Sequence, residues 1–238
     1  SNTLNYEKFR IEDTTEYIEE TLKIWKELNF SFDVISTGFI FTKKQMEIIS
    51  KFCEEQSKKG VLIFNDPIMA DNGELYSGIS SDTVDYMKNI ISVSDVTMPN
   101  YTESCLLTKT KYKEGISIEE INTIINKIRE LGAKSVIITS IPSVETKMVA
   151  GFDSKINEYF YLPYEEIPTY FPGTGDIFSS VIISETLEGK SLKVATEKAM
   201  KIVKEIVFVN KDQEDKKKPL SDDQLREALN KKGFPIAR

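Results

Sequence analysis

The sequence predicts an α/β fold: a mostly parallel central sheet flanked by helices on both faces. Three observations predict it. Short runs rich in β-branched residues alternate with longer segments of helical period. The runs are apolar throughout rather than alternating, as expected of strands buried on both faces. The connections are short, which favours strand–helix–strand units with right-handed crossovers. With 238 residues, 40% hydrophobic and 29% charged, the chain is long enough for one large domain with a substantial core.

Each element has its own signal. Residues 33–36, 61–64 and 135–139 read as buried strands. Ile18, Leu22 and Trp25 form one helical stripe, and Ile121, Ile125, Ile128 and Leu131 form another. Capping boxes mark helix starts at Thr42 with Gln45, Ser117 with Glu120 and Ser221 with Gln224. Gly60 and Gly132 stand between a helix and the next strand, where a left-handed cap is needed. Residues 147–150 and 158–162 read as a later strand pair around the turn Asp153-Ser154-Lys155. Helices over 176–188 and 192–209 follow, then a polar linker over 211–218 and a terminal helix over 221–231. The whole chain, 1–238, reads as a single domain.

Composition narrows the function. A net charge of -7 and a pI near 5.0 argue against a general nucleic-acid binder. An anionic substrate would need metal ions or helix N-termini to hold it. The absence of histidine excludes His-based acid–base chemistry, Ser-His-Asp triads and His-ligated zinc within this chain. Cys53 and Cys105 lie in helical apolar patterns without metal-like spacing and read as core residues. No run is long enough to span a membrane and no signal pattern opens the chain, so a cytoplasmic setting is expected.

Sheets of this kind bind ligands at the carboxyl ends of their strands, and four segments there carry chemistry. Gly173-Thr174-Gly175-Asp176 opens a helix. Its glycines let backbone N–H groups face a transferring phosphoryl group, and Asp176 can take a proton from a hydroxyl, although the same residues also make an ordinary helix start with a favourable acidic first turn. Asp66 and Asp71 bracket a strand-end loop and suit a magnesium–phosphate site, although the same residues form ordinary turns. Asn100 and Glu103 can serve phosphate and metal, or simply cap a helix. Thr139 and Ser140 offer hydroxyls at a strand end. There is no Gly-Lys-Ser/Thr phosphate loop, so phosphate binding without Lys or Arg would depend strongly on metal.

In this order the segments resemble the ribokinase superfamily, in its vitamin B6 kinase branch. The matching pieces are Ser36-Thr37-Gly38-Phe39, the block from Asp66 to Tyr76, Met98 to Glu103, Ile137 to Ser140, and Gly173 to Asp176. The likeness spans about residues 3–210. It implies a ribokinase-like fold and ATP-dependent phosphorylation of the 5′-hydroxymethyl group of pyridoxal, pyridoxamine or pyridoxine. By the same resemblance Asp176 is the base, with the amides of Gly173, Thr174 and Gly175 as anion hole. Asp66, Asp71 and Glu103 would serve Mg2+, Asn100 and Glu103 the phosphates, and Thr139 and Ser140 the nucleotide. Tyr76 would lie on a mobile loop near the phosphates, and the helices over 176–209 would wall the adenine pocket. Phe39 would contact the substrate ring where the family often has Tyr. A homodimer and assistance by a monovalent cation such as K+ are further implications.

The family's first strand and a substrate-contacting loop have no counterpart here, so the chain is expected to be incomplete at its N-terminus. A hydroxymethylpyrimidine kinase shares fold and base and is the nearest alternative. A sugar kinase would show an early β-lid that is not found. A non-catalytic binding or regulatory homologue is the alternative of another class; the set Asp66, Asn100, Glu103 and Asp176 opposes it.

Overall fold

The apolar runs become strands and the amphipathic stripes become helices in the computed structural model, which describes residues 11–169, 171–212 and 221–231. Their order is α1 (Thr15–Glu27), β1 (Val34–Thr37), α2 (Lys43–Ser57), β2 (Leu62–Asn65), β3 (Ala70–Asp71), β4 (Glu74–Leu75), α3 (Asp82–Ile91), β5 (Val96–Thr97), α4 (Tyr101–Thr108), α5 (Ile118–Glu130), β6 (Ser135–Pro142), β7 (Lys147–Asp153) and β8 (Glu158–Tyr164). Then come α6 (Thr174–Leu187), α7 (Leu192–Asn210) and α8 (Asp222–Lys231). Residues 3–9, where the likeness begins, and 213–218 of the expected linker lie outside the described residues.

The main sheet has the order β1-β2-β5-β6-β7-β8. Pairs from β1 to β6 are parallel; β6-β7 and β7-β8 are antiparallel. The sheet is therefore parallel where the strands alternate with helices, and antiparallel where a short turn joins them. A small second sheet pairs β3 with β4.

Local chemistry explains most boundaries. Ser117 and Glu120 form the predicted capping box at α5, and Ser221 and Gln224 exchange both bonds at α8. The box expected at Thr42 is only half formed. Thr42 accepts the Gln45 amide at 3.1 Å, but Gln45 Oε1 takes the Phe41 N–H at 3.0 Å instead of that of Thr42. Its amide nitrogen donates to Asp13, so the side chain reaches past the cap. Gly60 and Gly132 both have positive φ, at 88° and 123°. The strand predicted to end at Thr139 runs on to Pro142. A register shift between Ile138 and Ile141 absorbs the irregularity, with Ser140 left-handed at φ 58°, and β7 pairs on beyond it.

The chain forms two compact units, one from the described residues up to Tyr164 and one from Glu165 on. In the first, Met87, Ile90, Ile91, Ile121, Ile125, Ile128, Val136 and Ile138 share one buried cluster, with Cys105 among them. Cys53 is buried beside Val61 and Ile63, and burial pushes its thiol up to about 11. Trp25 packs among Phe30, Phe32 and Phe52. In the second, Ile202 and Ile206 of α7 pack with Ile177 and Val181 of α6 and Leu225 of α8. Lys198 on α7 pairs with the buried Glu185 on α6 at 2.5 Å. Among the described residues no helix is long and apolar enough to cross a membrane.

Candidate active site

Parallel pairing brings three strand ends to one level. Thr37 is in register with Asn65, and Asn65 with Thr97. The loops carrying Phe39, Asp66 and Asn100 therefore leave the sheet along one edge, the carboxyl edge. A buried polar ladder ties these ends together. Asn65 donates from Nδ2 to Thr37 Oγ1 at 3.0 Å and accepts at Oδ1 from Thr97 Oγ1 at 3.1 Å. The Asp66 amide adds a bond to the Thr37 carbonyl at 2.9 Å. Each polar atom so used is a buried group satisfied by its neighbour.

Asn100 and Glu103 open α4 as a full capping box. Asn100 Oδ1 accepts the Glu103 amide at 2.9 Å, and Glu103 Oε2 accepts the Asn100 amide at 2.8 Å. Both side chains also reach the loop after β2. Glu103 Oε1 accepts the Met69 amide at 3.0 Å and the Ala70 amide at 3.4 Å, while Asn100 Nδ2 donates to the Ala70 carbonyl at 2.7 Å. Glu103 is only 3% exposed. Its burial, reinforced by the charge of Asp66, raises its pKa to about 8 against the pull of its three amide donors.

Asp71 sits on the β3–β4 hairpin, where Asn72 and Gly73 have φ of 50° and 86°. Two consecutive positive φ values fit the two-residue turn that matches strand twist. Asp71 takes the Asn72 amide at Oδ1 and its side-chain amide at Oδ2. Tyr76 follows β4, and its amide holds the Met69 carbonyl at 3.0 Å. Thr139 bridges Asn100 in parallel, its amide on the Pro99 carbonyl at 3.1 Å, and Ser140 is exposed beside it. Phe39 is 40% exposed, its ring centroid 6.2 Å from that of Phe41. Among the described residues no three His, Cys, Asp or Glu side chains are grouped to hold a metal. A divalent ion using one or two carboxylates, waters and substrate phosphates fits that donor set.

The second unit carries the glycine segment. Gly173, the N-cap of α6, is left-handed at φ 91° and has no side chain with which to cap the helix. The amides of its first turn have no intrahelical acceptor by helix geometry. Asp176 lies in that turn and is exposed; a Cβ built on Gly173 would stand 3.9 Å from Asp176 Oδ2. Within the same unit a groove of about 590 Å³ is lined by Ile167, Pro168, Thr169, Lys204, Phe208 and Lys211, among others.

Residues 2–221 match the family model described as phosphomethylpyrimidine kinase. The chain belongs to this family. It is similar to a candidate phosphomethylpyrimidine kinase from Bacteroides thetaiotaomicron, with 31% identity and a TM-score of 0.87 over all of this chain and 82% of that one. A second crystal form of that protein, with pyridoxal, aligns with a TM-score of 0.83 at 30% identity. The pyridoxal kinase of Dictyostelium discoideum is 28% identical, over 76% of this chain and 63% of its own length. A hydroxymethylpyrimidine/phosphomethylpyrimidine kinase of Aquifex aeolicus is also 28% identical, over 85% of this chain and 76% of its own. The ribokinase-like pyridoxal kinase branch expected from the motifs is the place of this family member, and its fold is the one predicted.

Within the first unit, all the residues singled out by sequence except Phe39 and Ser140 fall into two groups. Asp66, Asn100 and Glu103 stand together with Thr139 alongside, whereas Asp71 and Tyr76 ride on the hairpin. Asn65 and Tyr112 organise this region from outside the matching pieces, and Thr102 does so from within the Met98–Glu103 piece without having been singled out as a site residue. A polar residue ending a buried strand is the one signal that could have found Asn65.

Proposed function

We propose that the chain supplies the core of an ATP-dependent kinase for the hydroxymethyl group of a vitamin B6 vitamer. The observation that carries this reading is the start of α6: a left-handed Gly173 at the N-cap, with no side chain to cap the first-turn amides, and an exposed carboxylate at Asp176. Asp176 accepts the proton of the substrate hydroxyl as its oxygen bonds the γ-phosphorus and the bond to the β-phosphate bridging oxygen breaks, leaving ADP. The amides of the segment Gly173, Thr174 and Gly175 stabilise the charge on the transferring group.

Asp66 and Glu103 are the pair that would hold magnesium, which supplies charge neutralisation at the phosphates. Two close carboxylates, one of them disfavoured as an anion by burial, suit a site completed by a cation. Asp71, whose oxygens serve Asn72, would act through water. Asn100, Thr139, Ser140 and Tyr76 would hold the nucleotide phosphates, and Ile167 and Phe208 would offer adenine an apolar surface in a groove otherwise lined largely by charged side chains. Phe39 offers an exposed ring to stack on the substrate.

A hydroxymethylpyrimidine kinase is the second reading, favoured by the family description and the Aquifex relative. The pyridoxal form of the Bacteroides protein favours the first. An assay of the full-length protein with Mg-ATP against pyridoxal, pyridoxamine, pyridoxine and hydroxymethylpyrimidine separates them. The expected result is ADP and a phosphorylated B6 vitamer, abolished by EDTA. Turnover of the pyrimidine alone would select the second reading, and none with any of the four would reject both.

A further inference from the structure

We infer that Thr102 is a positioning residue that fixes the β3–β4 hairpin on α4 through a bond no ligand-binding group shares. The hairpin has only two residues in each strand, far too few to hold its shape unaided. Its anchors come from the first turn of α4. Asn100 and Glu103 grip its root, at Met69 and Ala70. Thr102 grips its tip: Oγ1 accepts the Gly73 amide at 3.0 Å.

That amide needs an outside partner. In a two-residue hairpin turn the closing bonds join the flanking residues, so the N–H of the second turn residue points away from the ladder. Thr102 is 4% exposed, so its hydroxyl is held by packing where that N–H arrives. The Tyr112 ring flanks the same turn, 3.8 Å from a Cβ built on Gly73.

The two root anchors are also the side chains assigned above to phosphate and metal. A ligand engaging Asn100 or Glu103 competes for the atoms that hold Met69 and Ala70. The Thr102 bond uses neither side chain and persists when they turn to ligand. It therefore keeps Asp71 and Tyr76, which the hairpin carries, in place during nucleotide binding. The functional half of this inference rests on the kinase reading.

The test compares wild type with Thr102→Val, which removes the acceptor, and Thr102→Ser, which keeps it. Thr102→Ala replaces the valine variant should that fail to fold. Gly73 amide exchange is read by NMR and Mg·AMP-PNP affinity by calorimetry, both on the full chain. Loss of one neutral hydrogen bond predicts about two- to tenfold faster Gly73 exchange and a comparable weakening of affinity, with serine restoring both. An unchanged Gly73 exchange rate or an unchanged affinity in the valine variant overturns the inference. Wild type that shows the Thr102-dependent binding but transfers no phosphate would overturn the kinase reading alone. Wild type that binds no Mg·AMP-PNP would overturn both.

Discussion

A carboxyl group as enclosed as that of Glu103 favours its protonated form, and Asp66 pushes the same way, which raises its pKa from 4.5 to about 8. The sign of the consequence follows from linkage. Between those two values the folded state holds a proton that the unfolded state has released, so raising pH across the interval removes stability. The contribution is fully present below about 4.5 and lost above about 8. Chemical denaturation in metal-free buffer should therefore show the midpoint falling from pH 5 to pH 8.5. Glu103→Gln, neutral throughout, should flatten that decline, and an equally steep decline in the variant would refute the assignment. The spacing of Asn100 and Glu103 is legible in the sequence as both a cap and a ligand pair, because both need a carboxylate three residues on. Burial decides how that carboxylate behaves, and burial depends on Met69 and Ala70, distant in sequence.

At the level of elements, the antiparallel half of the sheet depends on one missing side chain. A Cβ at Gly151 of β7 would meet the Val136 carbonyl oxygen at 2.6 Å and run into the Phe160 ring. Gly151→Ala should destabilise the protein by about 1–3 kcal/mol, read as a lower midpoint in urea; a midpoint equal to wild type would mean the three strands pack less closely than described. Buried strands are the most legible elements here, since runs such as 136–138 are apolar on both faces. The bulge at Thr139 and Ser140 is not, because a serine at φ 58° is imposed by the pairing of β7 and not by its own preference. Asn72-Gly73 is a hairpin signal in its own right. The reading of that block as a turn with two metal-binding aspartates misses that the turn occupies Asp71 with its own neighbour.

For the whole molecule, parallel topology does what no single motif can. It delivers the loops of Phe39, Asp66 and Asn100 to one sheet edge, aligned by the Thr37–Asn65–Thr97 ladder. That convergence is legible only from the order of segments along the chain, since each segment alone has an ordinary structural explanation. The choice of substrate ring is less legible, because Phe39, the residue proposed to meet it, provides apolar surface and no hydrogen-bonding code. The proposed reaction class depends most on Asp176. Turnover by the full-length protein with Mg-ATP and its preferred acceptor, measured beside Mg·AMP-PNP affinity for wild type and Asp176→Ala, tests this most directly. The account predicts a loss of about 10²- to 10⁴-fold in kcat with nucleotide affinity retained. Near-normal turnover in Asp176→Ala would contradict it.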